Sequence, residues 1–329
     1  MPERTILVTG GAGYVGSIVV EELLREGYQV MVLDNLQQGH RNAVPGEAEL
    51  VIGDILDPQC LEGVFHRGRV DAVMHMAAET TVEFSMTDPK RYFQNNVVGG
   101  ISLLEAMLKH EVGGLVFSSS AAVYGEPQTA AIEERHPKAP LNAYGESKLM
   151  FERILDWYGR AYGLKHVSLR YFNAAGASDS LGEDHRPETH LVPNVLKAAL
   201  GNDSPVPIFG TDYPTEDGSC IRDYIHVVDI AKAHVLVLQR LETLECRVYN
   251  LGNGLGYSVI QVVEAAKRVT GLDIPVSAHS RRPGDPAVLV ASARRVQEQL
   301  GWRPERSELG CIIESAWEWT RKHPDGYRA

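Results

Sequence analysis

Thr5-Ile-Leu-Val-Thr-Gly-Gly-Ala-Gly-Tyr-Val-Gly16 decides the fold of this chain. Its first five residues form a short, largely apolar run of the kind that makes a strand buried on both faces. Glycines at 10, 13 and 16, with another at 11, follow that strand and open the helical pattern of 17–26. In that context spaced glycines mark a dinucleotide-binding turn. They allow a tight bend, let the backbone approach a pyrophosphate, and let helix and strand pack closely. The helix N-terminus then faces the phosphates. Gly10, Gly13, Tyr14, Val15 and Gly16 are therefore the first candidate cofactor residues. A plain glycine turn competes with this reading, and the position at the first strand–helix junction argues against it.

Outward from that turn, apolar strands at 27–33, 49–52, 71–75, 115–118 and 166–170 alternate with helical patterns at 58–67, 89–109 and 144–162. Such alternation predicts an α/β protein, a Rossmann-type doubly wound parallel sheet. After Asn173 the texture changes. Residues 174–189 read as a loop and 205–217, with its prolines and Gly210, as irregular. Helices are expected at 191–200, 228–240, 259–270, 293–300 and 309–322, and a strand at 247–251. The second half is a smaller mixed α/β C-terminal lobe. The expected division is an NAD-binding domain over 1–176, joined again by 227–253, and a substrate lobe over 177–226 and 254–329.

Asp34 ends the second strand, where a carboxylate accepts from a ribose 2′-hydroxyl and repels a 2′-phosphate. With Asn35 next to it and no arginine before Arg41, NAD is favoured over NADP. Asp54-Ile55 ends the third strand and is a candidate for the adenine edge. Met76-Ala77-Ala78, after the fourth, is small enough for a backbone passing close to a cofactor. Asn95 and Asn96 sit inside a helical pattern that asparagine weakens, which hints at a polar role.

Ser118-Ser119-Ser120 closes the fifth strand, at the sheet end where ligands sit. Further on, Tyr144 and Lys148 stand four apart on one helix face. An ammonium held there favours the phenolate of a tyrosine that otherwise titrates near ~10. Ser120 can bond the reacting oxygen beside Tyr144. Together these residues suggest hydride transfer at a carbinol, with Tyr144 taking the proton.

Bulk properties narrow the class. The chain has 329 residues, a net charge of −11 and no long basic run, which argues against general nucleic-acid binding. Cys60, Cys220, Cys246 and Cys311 show no metal-ligand spacing and read as free thiols of a reducing compartment. No apolar run has the length of a membrane span, and no signal-peptide pattern is seen. A cytoplasmic protein without membrane contact is expected.

The chain resembles the UDP-glucose (UDP-galactose) 4-epimerases, members of the extended short-chain dehydrogenase/reductases. The resemblance rests on the glycine turn, Asp34-Asn35-Leu36, Phe117–Ser120, Val123-Tyr-Gly125, Tyr144 with Lys148, and Leu169–Asn173. It rests also on Phe209–Tyr213, Arg222–His226, Tyr249–Gly252 and the Arg281-Arg-x-Gly-Asp285 motif. It implies that NAD stays bound through turnover and that Tyr144 takes the proton of the sugar 4′-hydroxyl as hydride passes to the nicotinamide. Lys148 would lower the tyrosine pKa and bond the nicotinamide ribose, and Ser120 would relay or orient the proton. Ser118 and Tyr171 join the cofactor contacts. Asn173, His190, Leu191, Phe209, Arg222, Arg282 and Asp285 match positions that hold the UDP-sugar, and Leu289 a position where the family varies its sugar pocket. A homodimer is implied, with Leu103, Leu104, Met107, Leu149, Ile154 and Trp157 as apolar positions on the helices concerned. Thr80 stands where relatives carry a lysine near the cofactor, and His190 where many have asparagine. Epimerases of UDP-pentoses or UDP-N-acetylhexosamines share the pattern. A 4,6-dehydratase would offer a carboxylate where Ala121 and Ala122 stand, and a non-catalytic NAD-sensing regulator would not need Tyr144, Lys148 and Ser120 together.

Overall fold

The structure is a computed structural model that describes residues 4–201, 205–282 and 285–328. The first half runs β1 (Thr5–Thr9), α1 (Tyr14–Arg25), β2 (Gln29–Asp34), β3 (Glu49–Ile52), α2 (Pro58–Phe65), β4 (Ala72–His75), α3 (Val82–Thr87) and α4 (Pro89–Phe93). It continues with α5 (Gly100–Lys109), β5 (Gly114–Ser120), α6 (Ala143–Tyr162) and β6 (Lys165–Tyr171). Then come β7 (Asn173–Ala175), α7 (Leu191–Ala199), β8 (Val206–Phe209), β9 (Ile221–Arg222), β10 (Tyr224–His226), α8 (Val227–Arg240) and β11 (Val248–Leu251). The chain closes with β12 (Tyr257–Ser258), α9 (Val259–Thr270), β13 (Val276–His279), β14 (Val288–Leu289), α10 (Arg294–Leu300) and α11 (Leu309–Lys322).

One seven-stranded sheet has the order β11-β6-β5-β4-β1-β2-β3. The pairs β1–β2, β2–β3, β1–β4 and β4–β5 are parallel. Flanked by helices, this is the doubly wound fold that the strand–helix alternation predicts. The order reverses between β1 and β4, so a crevice forms beyond the C-terminal ends of those strands. The glycine turn and Met76–Ala78 both leave the sheet there.

The chain divides into two compact units. One holds 1–125, 137–170 and 231–249; the other holds 126–136, 171–230 and 250–329. The residues 126–136 group with the second unit because Ile132 bridges to Ala291 and Glu134 accepts the Asn250 amide at 3.0 Å.

In the first unit Leu7, Leu33, Val73, Leu115 and Phe117 from the strands meet Leu103, Leu104, Met107, Phe151 and Leu155 from α5 and α6. Burying each such side chain contributes about 1.5–3 kcal/mol. Of the apolar positions named for pairing, Leu103, Leu104, Met107 and Leu149 are thus spent on the interior, whereas Trp157 is 65% exposed. In the second unit α7, α9 and α11 share a core through Val195, Leu196, Val262, Ala266, Ile312 and Ile313.

Three local expectations change. Within 205–217, Val206–Phe209 is a strand, paired in parallel with β13. Pro207 is tolerated because the sheet has only two strands, so every strand is an edge. Residues 174–175, read as loop, belong to β7, paired with β10. The helix expected over 89–109 is not uniform: Gln94–Gly99 is π-helical, and Asn95 and Asn96 lie in that wider turn.

Candidate active site

The glycine turn is built as its spacing requires. Gly10 has φ +74°, and a Cβ there would stand 2.5 Å from the Ala77 nitrogen. A Cβ on Gly16 would stand 2.1 Å from the Gly10 oxygen. Both glycines are thus demanded by the protein's own packing. Gly13 is different, because a Cβ there would meet only the Gly10 oxygen, at 3.4 Å. The fold leaves room for a side chain at 13, and glycine keeps that room open for a group approaching the backbone. Gly13 caps α1 without a side chain, and no acidic residue lies in the first turn, which carries Tyr14 and Val15. The positive helix end is left for an anion.

Asp34 is buried at the end of β2, and its two oxygens accept the amides of Ala12 and Leu36, each at 2.9 Å. Burial pushes its pKa up, against those two amides and the charge of His40. Leu36 takes φ +59° to make its bond, an unusual conformation for leucine. Asn35 donates to Asp54 Oδ2 at 2.9 Å, and the Leu56 amide donates to the other Asp54 oxygen at 2.8 Å. Two candidate residues are thus joined, whereas the Ile55 side chain is part of the core. The Met76 amide donates to the Thr9 carbonyl at 3.0 Å, which aligns 76–78 beside the glycine turn.

Helix α6 sets the reactive group. Asn142 caps it by accepting the Gly145 amide at 2.8 Å, and Gly163, at φ +75°, ends it. A Cβ on Gly145 would lie 2.4 Å from the Ala122 oxygen, so only glycine lets the helix start against the turn Ala121–Val123. That approach brings Tyr144 near Ser120, whose hydroxyl opposes the upward push of burial on the phenol. Ser120 Oγ also accepts the Ala122 amide at 3.1 Å, so it caps the turn as well. One helical turn on, buried Lys148 donates from Nζ to the Ser118 carbonyl at 2.8 Å. The same ammonium lies 4.9 Å from the Phe117 ring centroid and 5.9 Å from that of Tyr144.

Burial is the largest influence on both ionisable groups. It raises the Tyr144 pKa above 10, and Ser120 opposes it. Lys148 itself is pushed down to about 7 by burial, with Glu152 opposing. Its ammonium is directed at the Ser118 carbonyl at the end of β5.

Some functional support was not legible in single motifs. Tyr144, Lys148 and Glu152 recur every fourth residue on one face of α6. Buried Glu152 accepts from Ser119 Oγ at 2.5 Å and from Arg170 Nε at 2.8 Å, and Arg170 Nη1 donates to the Tyr124 hydroxyl at 2.9 Å. Asn96 accepts the Glu79 amide at 2.8 Å and donates to the Glu79 carbonyl at 3.0 Å. Asn95 Nδ2 donates to Asn96 Oδ1 at 3.0 Å. His75 is fully buried beside Phe117 and Phe151, bonded to Thr9 Oγ1 at 2.8 Å, and burial lowers its pKa to about 3. It is a neutral core histidine.

In the second unit, Arg222 is buried and bonds Asp285 Oδ1. Leu289 on β14 stands in register with Arg222 on β9. The Arg282 guanidinium lies 4.0 Å from the Phe209 ring centroid, and Tyr213 donates to the Asp285 carbonyl at 3.3 Å. Phe209, Arg222, Arg282, Asp285 and Leu289 thus gather in one region; Pro283 and Gly284 of the same motif lie outside the described residues. Asn173 is exposed, and its amide donates to the Asp223 carbonyl at 2.9 Å. Tyr171 ends β6 and Leu191 begins α7. His190 precedes α7, but its ring turns to Glu183 and Glu188.

A family described as NAD dependent epimerase/dehydratase matches residues 6–252. The chain belongs to this family. It is 51% identical over 325 residues to a UDP-glucose 4-epimerase of Halalkalibacterium halodurans, spanning 98% of this chain and 97% of that one. A crystal structure of a UDP-glucose 4-epimerase superposes with TM-score 0.96 at 48% identity, over 99% of this chain and 100% of that one. The UDP-glucose 4-epimerase of Bifidobacterium longum in complex with NAD+ and UDP superposes with TM-score 0.93 at 39% identity, over 98% and 100%. The expectation of an NAD-dependent epimerase, an isomerase of the extended short-chain dehydrogenase/reductase type, is borne out. No helix of the described residues is long and apolar enough to cross a membrane.

Proposed function

We propose that the chain interconverts UDP-galactose and UDP-glucose through a 4-keto sugar, with NAD retained between turnovers. The observation that carries this reading is that Tyr144 starts α6 beside Ser120 at the C-terminal end of β5, with Lys148 one turn on and bonded to the Ser118 carbonyl. NAD, when bound, supplies the acceptor and donor of the hydride at C4. Tyr144 takes the proton of the 4′-hydroxyl and later gives it back. Ser120 orients that hydroxyl. Lys148 turns from the Ser118 carbonyl toward the nicotinamide ribose and brings its charge to the phenol.

In this reading the first-turn amides after Gly13 take the pyrophosphate, Asp34 takes the ribose hydroxyl, and the Asn35–Asp54 pair with Ile55 borders the adenine. Met76, Ala77, Ala78, Asn95, Ser118 and Tyr171 complete the cofactor contacts. Arg222, Arg282 and Asp285, with Asn173, Leu191 and Phe209, take the UDP part, two guanidiniums suiting a diphosphate. His190 enters through its backbone, because its ring is engaged elsewhere. The first unit is assigned to NAD and the second to the UDP-sugar. A dehydratase is disfavoured by Ala121 and Ala122, which offer no acid.

We propose further that the protein is a homodimer of the cytoplasm. Val98 in the π-helical turn is 51% exposed, Trp157 and Tyr162 on α6 are 65% and 62% exposed, and all four cysteines are free thiols. The test of the catalytic reading is Tyr144→Phe. Turnover should fall roughly 10²–10⁴-fold, the range for a positioned acid/base, while NAD content and melting temperature hold. Turnover near that of the wild type would remove Tyr144 from the role.

A further inference from the structure

The residues 182–190, ahead of α7, bring four side chains together that the proposed reaction does not use. Glu183, His185, Glu188 and His190 each offer one donor atom, and these atoms all lie within 4.8 Å of one another. His190 Nδ1 lies 2.8 Å from Glu183 Oε1 and 3.1 Å from Glu188 Oε1. His185 Nδ1 lies 3.1 Å from Glu183 Oε1 and 3.8 Å from Glu188 Oε2. Ligand atoms bound at about 2.0–2.1 Å around a tetrahedral ion stand roughly 3.2–3.5 Å apart. The four separations, two of them to different oxygens of Glu188, bracket that range.

The burial points the same way. The side chains of Glu183 and Glu188 are 8% and 5% exposed. Glu188 Oε2 is buried without a hydrogen-bond partner. A carboxylate oxygen in that condition is costly unless something positive meets it. The rival arrangement is two imidazolium–carboxylate pairs. Paired ions would share the four oxygens out, yet here Glu183 Oε1 faces both histidines while Glu188 Oε2 has no hydrogen bond. Convergence on one point accounts for both features.

We propose that Glu183, His185, Glu188 and His190 bind one divalent transition-metal ion, zinc being the ion that such a two-imidazole, two-carboxylate set suits best. All four ligands come from one eight-residue stretch, so the ion closes a local loop. Its role is structural. It fixes the approach to Leu191 at the start of α7, while Asp184 in the same stretch accepts the Tyr327 amide at 3.1 Å.

The test uses the full chain. Chelator-stripped protein is equilibrated with zinc sulfate and desalted, and zinc is counted by mass spectrometry. About one zinc per chain is expected, with a nitrogen/oxygen shell at about 2.0–2.1 Å in X-ray absorption. The double variant His185→Gln, Glu188→Gln should weaken zinc binding by at least roughly tenfold. An anomalous map of wild-type crystals at the zinc edge avoids any dependence on the variant folding, and its peak should fall among the four side chains. No retained zinc, a sulfur shell, equal retention by a folded double variant, or a peak elsewhere would each overturn the site.

Discussion

Asn96 Nδ2 donates to Ser147 Oγ across 2.9 Å, and Ser147 Oγ in turn donates to the Tyr144 carbonyl at 2.7 Å. The π-helical turn is thereby tied to the helix that carries Tyr144 and Lys148, at a point between them. Asn96 is 3% exposed and also satisfies both backbone groups of Glu79. One side chain therefore joins the segment after β4 to α6.

Asn96→Leu keeps roughly the volume and removes every bond. The Glu79 amide, the Glu79 carbonyl and the Ser147 hydroxyl all lose a buried partner, at about 1–3 kcal/mol for each group left unsatisfied. A net loss of about 2–4 kcal/mol in urea unfolding is expected, together with a lower kcat, because the spacing of Tyr144 and Ser120 depends on α6. A variant as stable and as active as the wild type would show that the tie is idle.

Lys148 gives a pH dependence with a definite sign. Its native pKa is pushed down to about 7 by burial, from 10.5. Between those values the unfolded chain holds a proton that the native chain does not. Its contribution to stability therefore rises as pH rises through the window and is smallest below about 7. In urea titrations of protein stripped of nucleotide, wild type should gain on Lys148→Met from pH 7 to 9.5. A difference that stays constant across that range would contradict the buried, weakened ammonium.

Leu289 is offered as the residue that sets sugar size. It lies in register with Arg222, whose side chain is held by Asp285. Leucine is smaller than tyrosine and larger than serine, and overfilling a packed site costs about 1–3 kcal/mol, roughly five- to hundredfold in rate. UDP-galactose and UDP-glucose should be preferred over UDP-N-acetylhexosamines. Leu289→Ser should raise kcat/KM for the acetylated substrates and Leu289→Tyr should lower it. Equal values in three stable proteins would leave Leu289 without a part in specificity.

Much of this was legible in the residues because the governing rules are local. Spaced glycines after a strand, and Tyr144 with Lys148 at helical spacing, carry their geometry in the sequence. What escaped depends on distant packing. The strand Val206–Phe209 is hidden by Pro207, which only a two-stranded sheet excuses. The widened turn at Gln94–Gly99 has no local signal beyond its asparagines. The upward shift of Tyr144 arises from burial that helix spacing does not encode. Glu183, His185 and Glu188 fall in the loop expected over 174–189, and their meeting with His190 is a matter of loop conformation.

The most direct measurement takes the protein as purified, with no nucleotide added. NAD is released by acid and quantified, and UDP-galactose is incubated with the untreated protein and followed by chromatography. The account predicts co-purified NAD and conversion of UDP-galactose to an equilibrium mixture with UDP-glucose. Unchanged UDP-galactose in the presence of bound NAD, or a 4-keto-6-deoxy sugar nucleotide as the main product, would contradict it.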